Sequence, residues 1–216
     1  MSLFRLDSSF RTEGSHSRAV ADIVEQAWLE ANPGETVVRR SLVAEPIPAT
    51  AWPEAVHGSF LPQEQRTPAQ REALALAATL VDELVDADAL LFAVPLFNFG
   101  VSQHFKTYVD LVITDPRMKS GSTTLQGKPA ELVVVRGGSY QPGTPREGWD
   151  HATPWMRRIL EDVWGLDLSV VETEFTLVGV NPALDQFADL AATKRAESEK
   201  LAREHGLLLG RPAARI

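Results

Sequence analysis

The chain contains no cysteine. That excludes disulfides, thiolate catalysis and cysteine-ligated metal sites. Positive charge is also scarce: 21 Lys and Arg stand against 29 Asp and Glu, a formal net charge of -8. Such a balance argues against a nucleic-acid or acidic-membrane partner. It leaves a small anionic ligand open, because the local field at a site can oppose the net charge. No apolar run approaches the ~20 residues of a membrane span. The N-terminal MSLFRLDSSF carries Arg5 and Asp7 in a short apolar stretch, unlike a signal peptide, so a cytoplasmic location is expected. The sequence has no GxxxxGKS or GxxxxGKT, no GxGxxG and no GxSxG, which disfavours a nucleotide triphosphatase, an ordinary dinucleotide fold and a serine-hydrolase elbow. Its five histidines, His16, His57, His104, His151 and His205, show no metal-ligand spacing, and no metal site is expected.

What remains is 216 residues, 44% hydrophobic and 23% charged, which suits one domain with a real core (1–216). Apolar runs and helical patterns alternate along it. A strand is expected at Leu3–Asp7, then a loop at Ser8–Ser17 and a helix from Arg18 to Ala31, stopped by Asn32-Pro33-Gly34. The second strand is Glu35–Arg40. A connection from Ser41 to Pro68 carries Trp52, Phe60 and Leu61, too apolar for a plain linker, and reads as an ordered excursion over the surface or onto a partner subunit. Thr67-Pro68 opens a helix to Val85, with threonine as N-cap and proline in the first turn. Ala89–Val94 is a continuous apolar run, as expected of a strand covered on both faces. A helix over Ser102–Ile113, a polar loop Thr114–Lys128 and a strand at Ala130–Val135 follow. Next come a proline- and glycine-rich loop to Asp150, a helix over Ala152–Trp164 ended by Gly165, a strand at Asp167–Phe175 and a last helix over Asn181–Leu207. Five strand–helix units without a second half predict an α/β sandwich of the flavodoxin-like type, with a five-stranded parallel sheet in the order 2-1-3-4-5.

In that order the loops after strands 1, 3 and 4 meet at one edge, where open α/β sheets bind ligands. The first, Ser8–Ser17, is rich in hydroxyls and precedes a helix N-terminus, which favours a phosphate; serine in this position is equally a common N-cap. The second is Pro95-Leu96-Phe97-Asn98-Phe99. It offers two rings and an amide but no acid, base or nucleophile, which suits a flat aromatic ligand that brings its own chemistry. Proline is expected to bend the chain away from the strand here. Phe97 and Phe99 also fit a reading as core residues and Asn98 as a turn residue. The third, Arg136-Gly137-Gly138-Ser139-Tyr140, has paired glycines that allow backbone to approach a ligand closely, or that simply make a turn. Arg136 reads either as part of the site or as the partner of a helix dipole or carboxylate.

The stretch PLFNFGVSQHFKTYVD, with its proline, Asn98-Phe99, Lys106, Tyr108 and Asp110, together with the spaced serines Ser9, Ser15 and Ser17 and with Arg136-Gly137-Gly138, resembles the FMN-dependent NAD(P)H azoreductases and quinone reductases of the flavodoxin-like superfamily. The resemblance runs nearly end to end. It implies FMN bound without a covalent link: Ser9, Ser15, His16 and Ser17 on the phosphate, Pro95, Leu96, Phe97, Asn98 and Phe99 along the isoalloxazine, and Arg136, Gly137, Gly138 and Ser139 from another side. It implies a homodimer and a ping-pong reaction in which NADH or NADPH reduces the flavin and a quinone, azo compound or related aromatic acceptor takes the electrons. Three departures stand out. His16 replaces a frequent glutamine, Ser102 replaces a usual proline, and the Thr114–Lys128 loop, with Asp115, Arg117, Lys119, Ser120 and Ser122, lacks the aromatics many relatives place over the flavin. Trp149, Trp155 and Tyr140 are candidates for the missing aromatic wall. No covalent catalyst is expected; His151 and Tyr140 are candidate proton donors. Arg11, Arg117 and Arg146 are candidates for reading a 2′-phosphate. The alternative reading is a flavin-binding carrier, or a tailoring or isomerising enzyme, without NAD(P)H reductase activity.

Overall fold

The computed structural model describes residues 1–119 and 121–210. Five parallel strands form its centre: β1 (Ser2–Asp7), β2 (Thr36–Ser41), β3 (Ala89–Phe97), β5 (Pro129–Val135) and β6 (Asp167–Thr173), in the order β2-β1-β3-β5-β6. Counted among themselves these follow the expected 2-1-3-4-5. The sheet has a sixth member that the sequence reading lacks. β4 (Gly100–Val101) folds back antiparallel on the end of β3, with Leu96 opposite Val101 and Phe97 opposite Gly100. Helices α1 (His16–Ala31), α2 (Ala51–Ser59), α3 (Pro68–Asp86), α4 (Gln103–Val112), α5 (Thr153–Arg157) and α6 (Ala188–Leu208) cover both faces.

The alternation of side chains along β3 divides the core in two. Leu90, Phe92, Val94 and Leu96 face α2–α5, while Ala89, Leu91 and Ala93 face α1 and α6. Both sets are buried, so the strand reads as one unbroken apolar run rather than an alternating one. On the α1/α6 side the layer is tight at Gly206, where an added Cβ would lie 2.4 Å from the Val24 carbonyl oxygen. Only glycine admits that crossing.

Local signals set the helix starts. Thr67 accepts from the Gln70 N–H while the Gln70 side chain accepts from the Thr67 N–H, a complete capping box behind Pro68. Ser102 accepts from the Phe105 N–H and caps α4, doing the work of the proline expected there. The Ser41–Pro68 excursion holds α2, with Trp52 and Phe60 exposed. The expected helix over Ala152–Trp164 is α5 followed by a π-helical turn at Arg158–Val163, and Gly165 ends it with φ +71°. The last helix begins later than expected, because Asn181 caps a short 3₁₀ turn at Pro182–Phe187 before α6. The polar loop after α4 is folded on its own subunit: Arg117 bonds Asp115 and Asp82, and Met118 and Leu125 enter the core. Ser120 lies outside the described residues. Among the described residues no helix is long and apolar enough to cross a membrane.

A cleft at the carboxyl ends of the strands

The expected bend at Pro95 is not there. Pro95 stays in the sheet opposite Val135, and β3 runs on to Phe97. The reason is positional. β1 pairs with β3 only as far as Ala93, so beyond that residue β3 has an open side where a missing N–H costs nothing. The turn comes instead at Asn98 and Phe99, with φ values of +48° and +66°. Two successive left-handed residues are what a tight two-residue hairpin needs. Asparagine tolerates this conformation; phenylalanine there carries strain. The Phe99 carbonyl is pinned by the His151 N–H at 2.9 Å.

Around this turn is a cleft of about 370 Å³, within the range of small-molecule sites. It gathers three loops, as the sequence suggested. Ser9, Ser15, His16 and Ser17 line one end. Pro95, Leu96, Phe97, Asn98 and Phe99 form a wall, with Gly137 and Tyr140 across from it. The first loop is held by a web of bonds. Ser8 donates through its N–H to the Ala93 carbonyl at 3.1 Å, and Ser102 Oγ donates to Ser8 Oγ at 3.3 Å. Arg18 reaches Asp7 at 3.1 Å, the Ser9 carbonyl at 3.5 Å and Ser41 Oγ at 2.9 Å. Ser15 caps α1 by accepting from the Arg18 N–H, which leaves the first N–H groups of the helix pointing out of its end. Ser9, Ser15 and Ser17 are buried beside them. Burial lowers the pKa of His16 below its ordinary value, and the charges of Arg195 and Arg11 push the same way. A neutral imidazole, three hydroxyls, free helix N–H groups and the field of two arginines make a donor set suited to a phosphate.

At the other end the aromatic wall closes on Phe99. Trp149 stands edge-on at 5.3 Å between ring centroids, Tyr140 at 6.2 Å, and the Arg146 guanidinium lies 5.6 Å from the ring centre. Of the three candidates for this wall, Trp155 is elsewhere, packed on Phe105 and Lys106. Arg11 and Arg146 line the cleft. Arg117 does not, being committed to Asp115 and Asp82.

Two further placements differ from expectation. The Arg136 guanidinium turns away from the cleft. It lies 2.8 Å from both Glu172 and Asp150 and 3.5 Å from Glu174, and it donates to Thr153 Oγ1 at 3.0 Å. Buried positive charge needs partners, and here it has three carboxylates. Burial alone would lower its pKa, but those carboxylates hold it above the ordinary arginine value. His151 has an exposed side chain that does not line the cleft, and only its backbone serves the site. Gly138 and Ser139 line a second cavity behind the glycine loop. The sequence reading passed over Phe10, which packs on Phe97 at 5.1 Å, and over Thr176 and Leu177 after β6. Thr176 and Leu177 are drawn in because their N–H groups bond the carbonyls of Arg136 and Gly137, both at 3.1 Å. The signal was available, since the loop after the fifth strand leaves the same sheet edge.

The family model for the flavodoxin-like fold matches residues 1–201. A protein of Frankia casuarinae named FMN-dependent NADH:quinone oxidoreductase is 39% identical over 93% of this chain and 96% of its own length. A protein of the same name from Frankia alni is 40% identical over the same shares. The crystal structure of an azoreductase from Bacillus anthracis superposes with a TM-score of 0.78 at 20% identity, covering 96% of this chain and 99% of that one. The chain therefore belongs to the flavodoxin-like family, and within it stands beside proteins named FMN-dependent NADH:quinone oxidoreductases.

Proposed function

We propose that this protein is an FMN-dependent NADH:quinone oxidoreductase with azo and related aromatic compounds as further acceptors. The observation that carries the reading is the cleft itself: a phosphate-type donor set at one end, a Pro95–Phe99 wall with no acid, base or nucleophile at the other, and 35–40% identity over more than nine-tenths of the chain to relatives bearing that name.

The residues fit the cofactor. Ser9, Ser15 and Ser17 with the N–H groups opening α1 would hold the phosphate, and His16 would add a hydrogen bond. The wall from Pro95 to Phe99 would flank the ring system, with Asn98 offering both a donor and an acceptor. At Gly137 an added Cβ would lie 2.6 Å from Leu177 Cδ1, so bare backbone lines the cleft there. Bound FMN would supply the hydride chemistry, from NADH to the acceptor in two half-reactions. The protein's share is positional and electrostatic. The backbone N–H of Gly137 can stabilise negative charge near the ring, and Phe99, Tyr140 and Trp149 exclude water from one side. No side chain need form a covalent bond. His151 is set aside as a proton donor by its exposed position; Tyr140 remains the candidate.

The protein would act as a homodimer in the cytoplasm. Trp52, Phe60 and Trp149 support the dimer, being 47%, 81% and 49% exposed in the isolated chain. Light scattering at micromolar concentration should give twice the chain mass. The reductase reading is tested by anaerobic titration of the FMN-loaded protein with NADH, followed by a simple quinone. Flavin absorbance should bleach with NADH and return with the quinone. Flavin that stays oxidised under NADH but is reduced by dithionite would overturn it.

A further inference from the structure

Behind the glycine loop is a second cavity, of about 560 Å³, roofed by the connection between β6 and α6. Its apolar walls are Phe175, Leu177, Leu184, Phe187 and Leu190. The two rings lie 5.4 Å apart at 35°. Phe175 adopts φ +58°, a left-handed conformation that a bulky residue rarely takes and that stores strain. Leu177, Phe187 and Leu190 are each 37–43% exposed, an unfavourable state for three large apolar side chains around one opening.

Several polar groups of this wall are already engaged, while Tyr140, Gln141 and Arg146 stand at its edge toward the glycine loop. Lys194 pairs with Glu197 at 2.9 Å, Glu174 with Arg136, and Asn181 Oδ1 accepts from the Ala183 N–H. Thr144 Oγ1 donates to the Gln141 carbonyl, and Ser139 Oγ accepts from the Gln141 N–H. The side formed by Phe175, Leu177, Leu184, Phe187 and Leu190 thus suits an apolar occupant, since a polar group placed there would lose water and gain few partners. The chamber also adjoins the cleft: Gly137, Tyr140, Arg146 and Leu177 line both. An acceptor ring set against the flavin at the Tyr140–Arg146 end of the cleft lies beside the shared rim, over which an apolar substituent can extend along Leu177.

We propose that this chamber receives the side chain of the acceptor, and that the preferred acceptors are quinones bearing an isoprenoid or comparable alkyl substituent. The inference rests on the quinone reading of the cleft and adds the substrate's tail to it.

The test is calorimetric titration of the oxidised, FMN-loaded protein with two benzoquinones that differ only in one substituent, methyl against a five-carbon isoprenyl group. The isoprenyl compound should bind at least about tenfold more tightly, since burial of each added methylene is favourable. Ala183→Trp, at an exposed position on the chamber wall, should abolish that gain and leave methylquinone affinity and FMN content unchanged. Leu190→Glu, which sets a charge at the mouth, should do the same and guards against a folding fault in the first variant. Equal binding of the two quinones by the unaltered protein, or a full gain retained in both variants, would overturn the proposal. NADH turnover measured in parallel speaks only to the reductase reading: its absence with both quinones would refute that reading, while the binding ratio still decides the chamber.

Discussion

Replacing Arg136 by methionine separates two roles that one residue could have. Arg136 is 4% exposed, and its guanidinium meets Glu172, Asp150, Glu174 and Thr153. Methionine leaves three carboxylates facing one another without a cation. Breaking a buried pair this way costs ~3–5 kcal/mol. Glu172 is 33% exposed and can turn to water, so its part is discounted and about 3 kcal/mol remains. For a chain of this size each kcal/mol moves Tm by ~2–4 °C, giving a fall of about 6–12 °C at pH 7. The loss should depend on pH. Burial raises the Asp150 pKa, but the Thr153 hydrogen bonds, the Arg136 charge and the Ala152 N–H more than offset it and hold it below the usual range. A depressed carboxyl contributes stability that is present above its unfolded pKa of about 3.9 and is lost as pH falls through the folded value. The gap between the two proteins should therefore be widest near neutrality and narrow below about pH 4. Thermal unfolding of flavin-free protein, followed by circular dichroism at several pH values, measures it. A flavin-free variant as stable as the parent at pH 7, yet unable to hold FMN, would refute this account and return Arg136 to the cofactor.

Other expectations test other parts of the molecule. Phe99→Gly removes both a strained φ and the ring on which Trp149, Tyr140 and Arg146 converge; global stability should change by less than about 1 kcal/mol while FMN affinity drops at least about tenfold, read by flavin fluorescence. Gly206→Ala places a Cβ 2.4 Å from the Val24 oxygen, so despite alanine's better helix propensity it should destabilise by ~1–3 kcal/mol in urea unfolding. His205 lies 2.9 Å from the buried Glu131; the hydrogen bond to Glu131 raises the histidine's pKa, and burial raises that of Glu131. Both folded values exceed the unfolded ones, so this stability is present at low pH and is lost as pH rises, for His205 from about 6.5 upward. His16, lowered by burial, works the opposite way, but its contribution cancels when His205→Asn is compared with the parent across pH 6 to 8. The variant should show the flatter fall, and an unchanged slope would count against a charged His205.

The order of strands and helices, and the meeting of three loops at one sheet edge, were legible in the sequence because they depend on local signals. The apolar run Ala89–Val94 can only be a doubly covered strand, Thr67-Pro68 and Asn32-Pro33-Gly34 are punctuation in themselves, and parallel order brings Ser9–Ser17, Pro95–Phe99 and Gly137 together by topology. What depends on neighbours distant in the chain was not legible. Pro95 keeps its place in the ladder because β1 stops short beside it, which no local pattern records. Arg136 looks like a cleft residue until three carboxylates, from β6, the residue just past it and the segment before α5, claim it. Trp149 and Trp155 are indistinguishable in sequence, yet one reaches Phe99 and the other Phe105. The chamber beneath the β6–α6 connection meets the glycine loop where Thr176 and Leu177 bond back to it. Chain-local chemistry set the elements and the edge at which they converge; long-range pairing of charge and backbone decided which side chains face the cleft.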